Sequence, residues 1–500
     1  MKIFSLNKSI LAETIFAGYN ISGEHDNQLT FDIFSDGEIL PIFRQSIRGE
    51  NICVICDGNT PNDMMRLFLT LDASKRSGSK SMTVIYPYKF TPIGNRLFLS
   101  ILQSVGVTSL QSTEVDNNTI KGFYNTTLAI TPDKNILTEH INIFDPKQEI
   151  EGDLYYSINK SPLSKKLFDL TPTYNDTDMY LTISESEGRY YPMFTNNVKG
   201  RDVYLLADGH KSVDIIKLLT TIDLAQRSGA KSITVIYPYA PYSRQDKNDH
   251  VRSSIGAKLL ADILQVAGMT RMITIELHAG SIQGFYDVPI IELKGNRIFT
   301  DYLKSLGLTD ICGCAPDHGA SKRNADLCKS FPGATSAVID KRRLKPNEIH
   351  SMLLLGDVAG KNVFMADDLV DTLGTGALAS KLIMSKGALS CRGAMPHALL
   401  TGLALGNLYD SELTELLVSD TILGIEEKVA EYDKLCSDIE RLGTVTLSII
   451  DFSGNTKTLT LTRKDKDKIP KLTVISCAML TAKTLDRLTK NESINELNLA

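Results

Sequence analysis

Short apolar, β-branched runs alternate along the chain with longer stretches whose apolar positions recur at helical spacing. Residues 52–55 and 82–86 read as strands, and 62–76 and 95–105 as helices. Short apolar strands between helices predict an α/β fold: a mostly parallel sheet covered by helices on both faces. Further on, the apolar run 363–366 ends in Asp367 and Asp368. Asp371, Thr372, Leu373, Gly374 and Thr375 follow, and a helical pattern takes over at 377–385. A strand end holds carboxylates rigidly, while loop N–H groups and a helix N-terminus form a concave anion site. That combination suits a sugar phosphate, with the acids on its hydroxyls or on Mg²⁺ and the loop on its phosphate. An ordinary Asp/Thr-capped turn has the same local pattern, so the rest of the chain must decide.

The pattern repeats. SGSKSMTVIYPY (77–88) recurs as SGAKSITVIYPY (228–239), at an offset that runs without a gap back to Gly37 and Gly188. Beyond Tyr88 the offset lengthens, and ILQSVGVT (101–108) pairs with ILQVAGMT (263–270). The chain therefore begins with two copies of one domain, 1–150 and 151–293, followed by a domain at 294–500. The copies differ in complementary ways. Copy one lacks the loop PYSRQDKNDHVRS (241–253), whose mixed charges suit nucleotide phosphates, and has Asp116 opposite His278 of copy two. Copy one in turn carries FSDGE (34–38), where copy two has SESEGR (184–189).

Composition leaves this picture standing and narrows the partners. The 500 residues suffice for two to four domains at ~100–200 residues each. With 42% hydrophobic and 23% charged residues and a net charge of −5, there is no electrostatic case for nucleic acid. No apolar run approaches the ~18 residues of a membrane span, and the start, MKIFSLNKSILAE, lacks a signal-peptide core. Cys53 and Cys56 form a C-x-x-C inside the apolar run NICVIC, and Cys312 and Cys314 are only two apart. Buried reduced thiols in a cytosolic (cytoplasmic) protein are the expectation. No G-x-x-x-x-G-K-[ST] occurs, so a P-loop ATPase is not indicated.

The loop at 241–252 followed by ELHAGSIQGFYDVP (276–289) resembles the ribose-phosphate pyrophosphokinase (phosphoribosyl pyrophosphate synthetase) family. FSDGE (34–38), APDHGASKR (315–323), IDKRRLKPNE (339–348), ADDLVDTLGT (366–375), MPHALLTG (395–402), SDTI (419–422) and the tail 471–498 agree with it in order. The resemblance implies tandem phosphoribosyltransferase-like domains and a Mg²⁺-dependent transfer of the ATP diphosphoryl group to ribose 5-phosphate. By resemblance, Arg244, Gln245 and Asp249 hold ATP, and His278 and Asp317 lie at the Mg²⁺–triphosphate. Lys341 and Arg343, on a mobile loop, stabilise the transferring group. Asp367, Asp368, Asp371, Thr372, Leu373, Gly374 and Thr375 bind the ribose phosphate. The chain departs from the family pattern at Gly280, His318, Ala320 and Leu373. Leu373 adds bulk beside the expected 5′-phosphate site, and together with the altered 318–321 segment it motivates a second reading with a substituted acceptor such as ADP-ribose. A catalytically inactive regulatory homologue is a third.

In that family the adenine site is shared between subunits, one giving the arginine loop and its partner the FSDGE hairpin. Here copy one keeps the hairpin with Phe34, Asp36 and Glu38, while copy two keeps the loop and His278 and has lost the hairpin. The expectation is an intrachain pseudo-dimer in which copy one completes the ATP site of copy two, with a homo-oligomer still open. The segment 423–469 looks inserted: an amphipathic helix at 425–442, then a hairpin from 444–450 to 456–463.

Overall fold

The computed structural model describes residues 2–7, 12–13, 28–87, 93–111, 153–171, 181–186, 189–248, 251–345, 348–450 and 456–498. The expected comparison of Asp116 with His278, the boundary near 150, Asp249 and the turn 451–455 lie outside them.

Three sheets carry the chain. The first is four-stranded and parallel, in the order Lys2–Ser5, Asn51–Ile55, Ser81–Ile85, Ser109–Gln111. Among the described residues the second repeats that order and has a further strand: Leu154–Ser157, Asp202–Leu206, Ser232–Ile236, Arg271–Ile275, Ile290–Leu293, again all parallel. Buried helices explain why the copies share apolar patterning. Pro61–Arg76 starts at a capping box between Thr60 and Asp63, with Pro61 in the first turn, where its missing N–H costs nothing. This helix packs on its counterpart, Ser212–Arg227, and Asn95–Ser104 packs on Gly256–Ala267. The result is one continuous apolar core: Phe68, Phe98 and Ile101 from copy one join Leu219, Leu260 and Ile263 from copy two. The two copies thus pack on each other within one chain through a shared core.

Each copy also carries an antiparallel hairpin. Leu29–Ile33 pairs with Ile39–Phe43, and Thr182–Ser186 pairs with Arg189–Met193. The expectation that copy two had lost its hairpin is therefore corrected: the backbone element persists, and only the FSDGE side chains are gone. Strand pairing needs extended backbone and alternating contacts, and the acids at the turn do not decide it.

The third sheet is mixed. Ile311–Ala315, Asn362–Ala366, Ser390–Ala398, Glu415–Ser419 and Lys471–Val474 run parallel. Thr335–Lys345, parallel to Ile311–Ala315, is continued antiparallel by Glu348–Leu355. The basic segment at 339–348, expected as a mobile loop, is thus largely a strand arm. The segment expected as an insertion forms the helix Ile425–Leu442 and a hairpin of Thr444–Ile450 with Thr456–Thr462. The hairpin packs on the helix Ala404–Asp410 where Gly406 leaves room: a Cβ there would lie 2.7 Å from Leu447 Cδ1 and 2.9 Å from Leu459 Cδ2.

Candidate active site

The strand Asn362–Ala366 delivers Asp367 and Asp368 at its end, and the helix Gly374–Ser385 begins three residues earlier than its apolar pattern suggested. Between them lies a pocket of about 190 Å³ lined by Asp317, Lys341, Asp367, Asp371, Thr372, Gly374 and Thr375, among others. Leu373 has φ 57°, the left-handed conformation that is uncommon for a leucine. The turn lets the loop curl into the helix N-terminus. The Leu373 side chain, though its residue borders the pocket, is only 5% exposed and belongs to the apolar core. It lies over Gly376, where a Cβ would meet Leu373 Cδ1 at 2.8 Å. Leucine bulk therefore goes into the core, and the argument it gave for a substituted acceptor falls. The loop is braced from behind: Asn407 Nδ2 donates to the Thr372 carbonyl at 2.8 Å, and Thr401 Oγ1 donates to Asp371 Oδ1. Asn407 sits on the helix that the inserted hairpin packs against.

The 241–253 loop of copy two meets the copy-one hairpin directly. Arg244 forms an ion pair with Asp36, whose side chain is fully buried, and its guanidinium lies 5.7 Å from the centroid of the Phe34 ring. Glu38 accepts from the Tyr242 backbone N–H and, at 3.2 Å, from Gln245 Nε2. Burial, helped by the neighbouring Asp36 charge, pushes the Glu38 carboxyl up to about 8. Arg252 Nε donates to the Phe43 carbonyl at 2.6 Å, and Ile255 N to Asp72 Oδ2 at 3.1 Å, so the described parts of the loop are seated on copy one. Two buried polar atoms in this loop, Arg244 Nε and Gln245 Oε1, and Tyr239 Oη just before it have no hydrogen-bond partner. Orphaned polar atoms inside a protein are costly, and their concentration here marks a place a polar ligand would satisfy.

A second network joins the two halves. His278 Nδ1 and Asp368 Oδ2 are 2.7 Å apart, and this bond raises the imidazole pKa despite burial. Burial alone would raise Asp368, but the His278 bond and the Arg323 charge hold it well below the ordinary carboxylate range. Its neighbour Asp367 is pushed up to about 8 by burial and by the Asp368 charge. Arg323, on Ser321–Cys328, was not singled out from sequence. It donates to Glu276 Oε1 at 3.0 Å and to the His278 carbonyl at 2.9 Å, and lies 3.6 and 3.7 Å from Asp367 and Asp368. Its signal was present in APDHGASKR, but its partners are remote in sequence. Lys341 Nζ reaches Asp317 Oδ2 at 3.3 Å from a nearly buried position. Arg343 is paired with Ile349 through the backbone, and its side chain lies outside the described residues.

For a divalent cation the donor set is uneven. Mg²⁺ prefers oxygen and usually keeps few protein ligands. Asp317 and Asp367 offer carboxylate oxygens to one pocket and fit this chemistry. His278 lines a neighbouring cleft, and its Nδ1 is engaged by Asp368, which leaves Nε2 as the ring nitrogen open to a cation or a phosphate. Among the described residues, no three His, Cys, Asp or Glu side chains gather as a metal centre.

Comparison with known proteins agrees with this layout. The family model described as the N-terminal domain of ribose phosphate pyrophosphokinase matches residues 1–106 and 182–268, one stretch in each copy. A model for the phosphoribosyl synthetase-associated domain matches 293–451. A ribose-phosphate pyrophosphokinase from Porphyromonas gingivalis is 40% identical over 47% of this chain and 76% of its own length. One from Bacillus caldolyticus is 39% identical over 49% and 78%. The crystal structure of phosphoribosylpyrophosphate synthetase from Mycobacterium smegmatis superposes with a TM-score of 0.53 at 26% identity, covering 68% of this chain and all of that one. Since the match spans three quarters of each curated relative, this chain belongs to the ribose-phosphate pyrophosphokinase family.

Proposed function

We propose that the chain transfers the diphosphoryl group of ATP to the 1-hydroxyl of ribose 5-phosphate, giving phosphoribosyl pyrophosphate and AMP. The observation that carries this reading is a shared carboxylate. Asp371 of the acceptor loop accepts from Arg244 of the nucleotide loop at 2.9 Å, so the two half-sites touch through one side chain. An isolated sugar-phosphate site would not need that link.

The residues divide the work as follows. Phe34, Asp36, Glu38, Arg244 and Gln245 form the nucleotide end. Backbone N–H groups at 372–375 and the N-terminus of Gly374–Ser385 take the 5-phosphate, and Asp367 faces the ribose hydroxyls. The anomeric oxygen forms a bond to the β-phosphorus, the bond from that phosphorus to the α–β bridging oxygen breaks, and AMP departs with that oxygen. The hydroxyl proton is released. Such transfers depend on positioning and charge neutralisation. Lys341, at the pocket edge beside Asp317, brings positive charge to the transferring group. Mg²⁺, held through Asp317 and Asp367 together with substrate oxygens, would neutralise triphosphate charge. All eight cysteines are free thiols, which suits the cytosol as the compartment.

The test is AMP release from ATP and Mg²⁺ with ribose 5-phosphate and, in parallel, with ADP-ribose. Turnover with ribose 5-phosphate is expected. Turnover with ADP-ribose alone would overturn the assignment of the acceptor, and AMP release with neither would overturn the activity.

A further inference from the structure

Copy one reaches beyond the nucleotide end. Ser35, at the tip of its hairpin, donates from Oγ to Asp371 Oδ2 at 2.6 Å. The same oxygen accepts from Arg244 Nη1 at 2.9 Å, and the other carboxylate oxygen accepts from Thr401 Oγ1. The Thr401 backbone N–H donates to the Asp371 carbonyl at 3.2 Å. One acceptor-loop side chain is thus held by three segments: the copy-one hairpin, the copy-two nucleotide loop and the strand-end segment of the third domain. Its acceptor capacity is largely used before any sugar arrives. A carboxylate engaged in this way is better suited to bracing a loop than to seeking a hydroxyl.

We propose that Ser35 is a positioning residue which, through Asp371, makes acceptor binding and nucleotide binding depend on each other. This rests on the diphosphotransferase reading above. A nucleotide between Phe34 and the Arg244 loop fixes the hairpin and the guanidinium. Both then hold Asp371 in place, and with it the turn at 372–375 that receives the phosphate. By linkage, an acceptor seated in that turn fixes the hairpin for the nucleotide to the same extent. The consequence is ordering across the duplicated architecture: the copy without a catalytic domain of its own governs the affinity for both substrates.

The test is calorimetric titration of ribose 5-phosphate into the full chain with Mg²⁺, with and without α,β-methylene ATP, which blocks transfer. In the unaltered protein the analogue should tighten ribose 5-phosphate binding by about tenfold, the scale of one hydrogen bond to a charged group. Ser35→Ala should reduce that coupling severalfold, leaving only the part carried by Arg244, while each ligand alone binds as before, and Ser35→Thr, which keeps the hydroxyl, should restore it. Full coupling in Ser35→Ala would overturn the proposal. Weaker binding of ribose 5-phosphate alone, with coupling intact, would also overturn it, because Ser35 would then merely support the loop. If the unaltered protein bound neither ligand, the diphosphotransferase reading itself would fall.

Discussion

The two hairpins share a backbone and differ in everything else. Leu29–Phe43 places Asp36 and Glu38 at 8% and 3% exposure against the nucleotide loop of copy two. In Thr182–Met193, Tyr191 and Met193 are 44% and 57% exposed, and Arg189 lies over the Tyr191 ring at 5.8 Å. The loop that would face the second hairpin is the one missing from copy one. A buried carboxylate survives only where cations and N–H donors meet it. When one side of the paired site disappears, nothing holds the acids on the other side, and the hairpin remains as plain strand pairing. The duplication thus separates what a hairpin needs to fold from what it needs to serve a site.

This contrast can be broken most severely at Arg244. Arg244→Ala leaves the Asp36 carboxylate buried without its partner, a loss on the scale of 3–5 kcal/mol, so kcat/KM for ATP should fall by about 10²–10⁴-fold in steady-state assays. The next largest effect is at Glu38. Its carboxyl is raised from 4.5 to about 8 in the folded protein, so the native state keeps a proton that the unfolded chain releases. The stabilisation is complete below pH 4.5, declines as pH rises toward 8 and is flat beyond. Thermal melts across that window should show the decline in the unaltered protein and a flatter profile in Glu38→Gln. An unchanged profile in Glu38→Gln would mean that Glu38 is not the buried acid that distinguishes the two hairpins. The smallest effect belongs to copy two. Tyr191→Ala should change stability by no more than about 0.5 kcal/mol, the usual range for surface positions, and should leave the ATP KM unaltered.

Much of this was legible because local patterning and the fold agree. The parallel sheets follow from apolar runs, the complementary losses of the copies pointed to the FSDGE and 241–253 segments, and the family resemblance pointed to Phe34, Asp36, Glu38 and Arg244 within them. Other features were hidden for physical reasons. Leu373 as a letter says bulk beside a phosphate, but its φ of 57° turns that bulk into the core over Gly376. Arg323 acts on Glu276, Asp367 and Asp368, all distant along the chain, so no spacing announces it. The basic strand of the 339–348 arm carries charge on much of its length, which masks the alternation a half-buried strand normally shows. The copy-two hairpin is hidden because its turn, SESEGR, carries none of the FSDGE chemistry, while strand pairing is decided by the extended residues on either side.

The central claim is that copy one completes the nucleotide site within its own chain. Two damaged forms test it most directly: Asp36→Ala, which spoils the hairpin, and Arg244→Ala, which spoils the loop. They are co-expressed, co-purified and assayed for AMP release beside each form alone. If each chain builds its own site, every chain in the mixture carries one lesion in that site, and the mixture is no more active than the separate forms. If the hairpin instead serves a neighbouring chain, some sites pair an intact hairpin with an intact loop, and activity above either form alone would contradict the account.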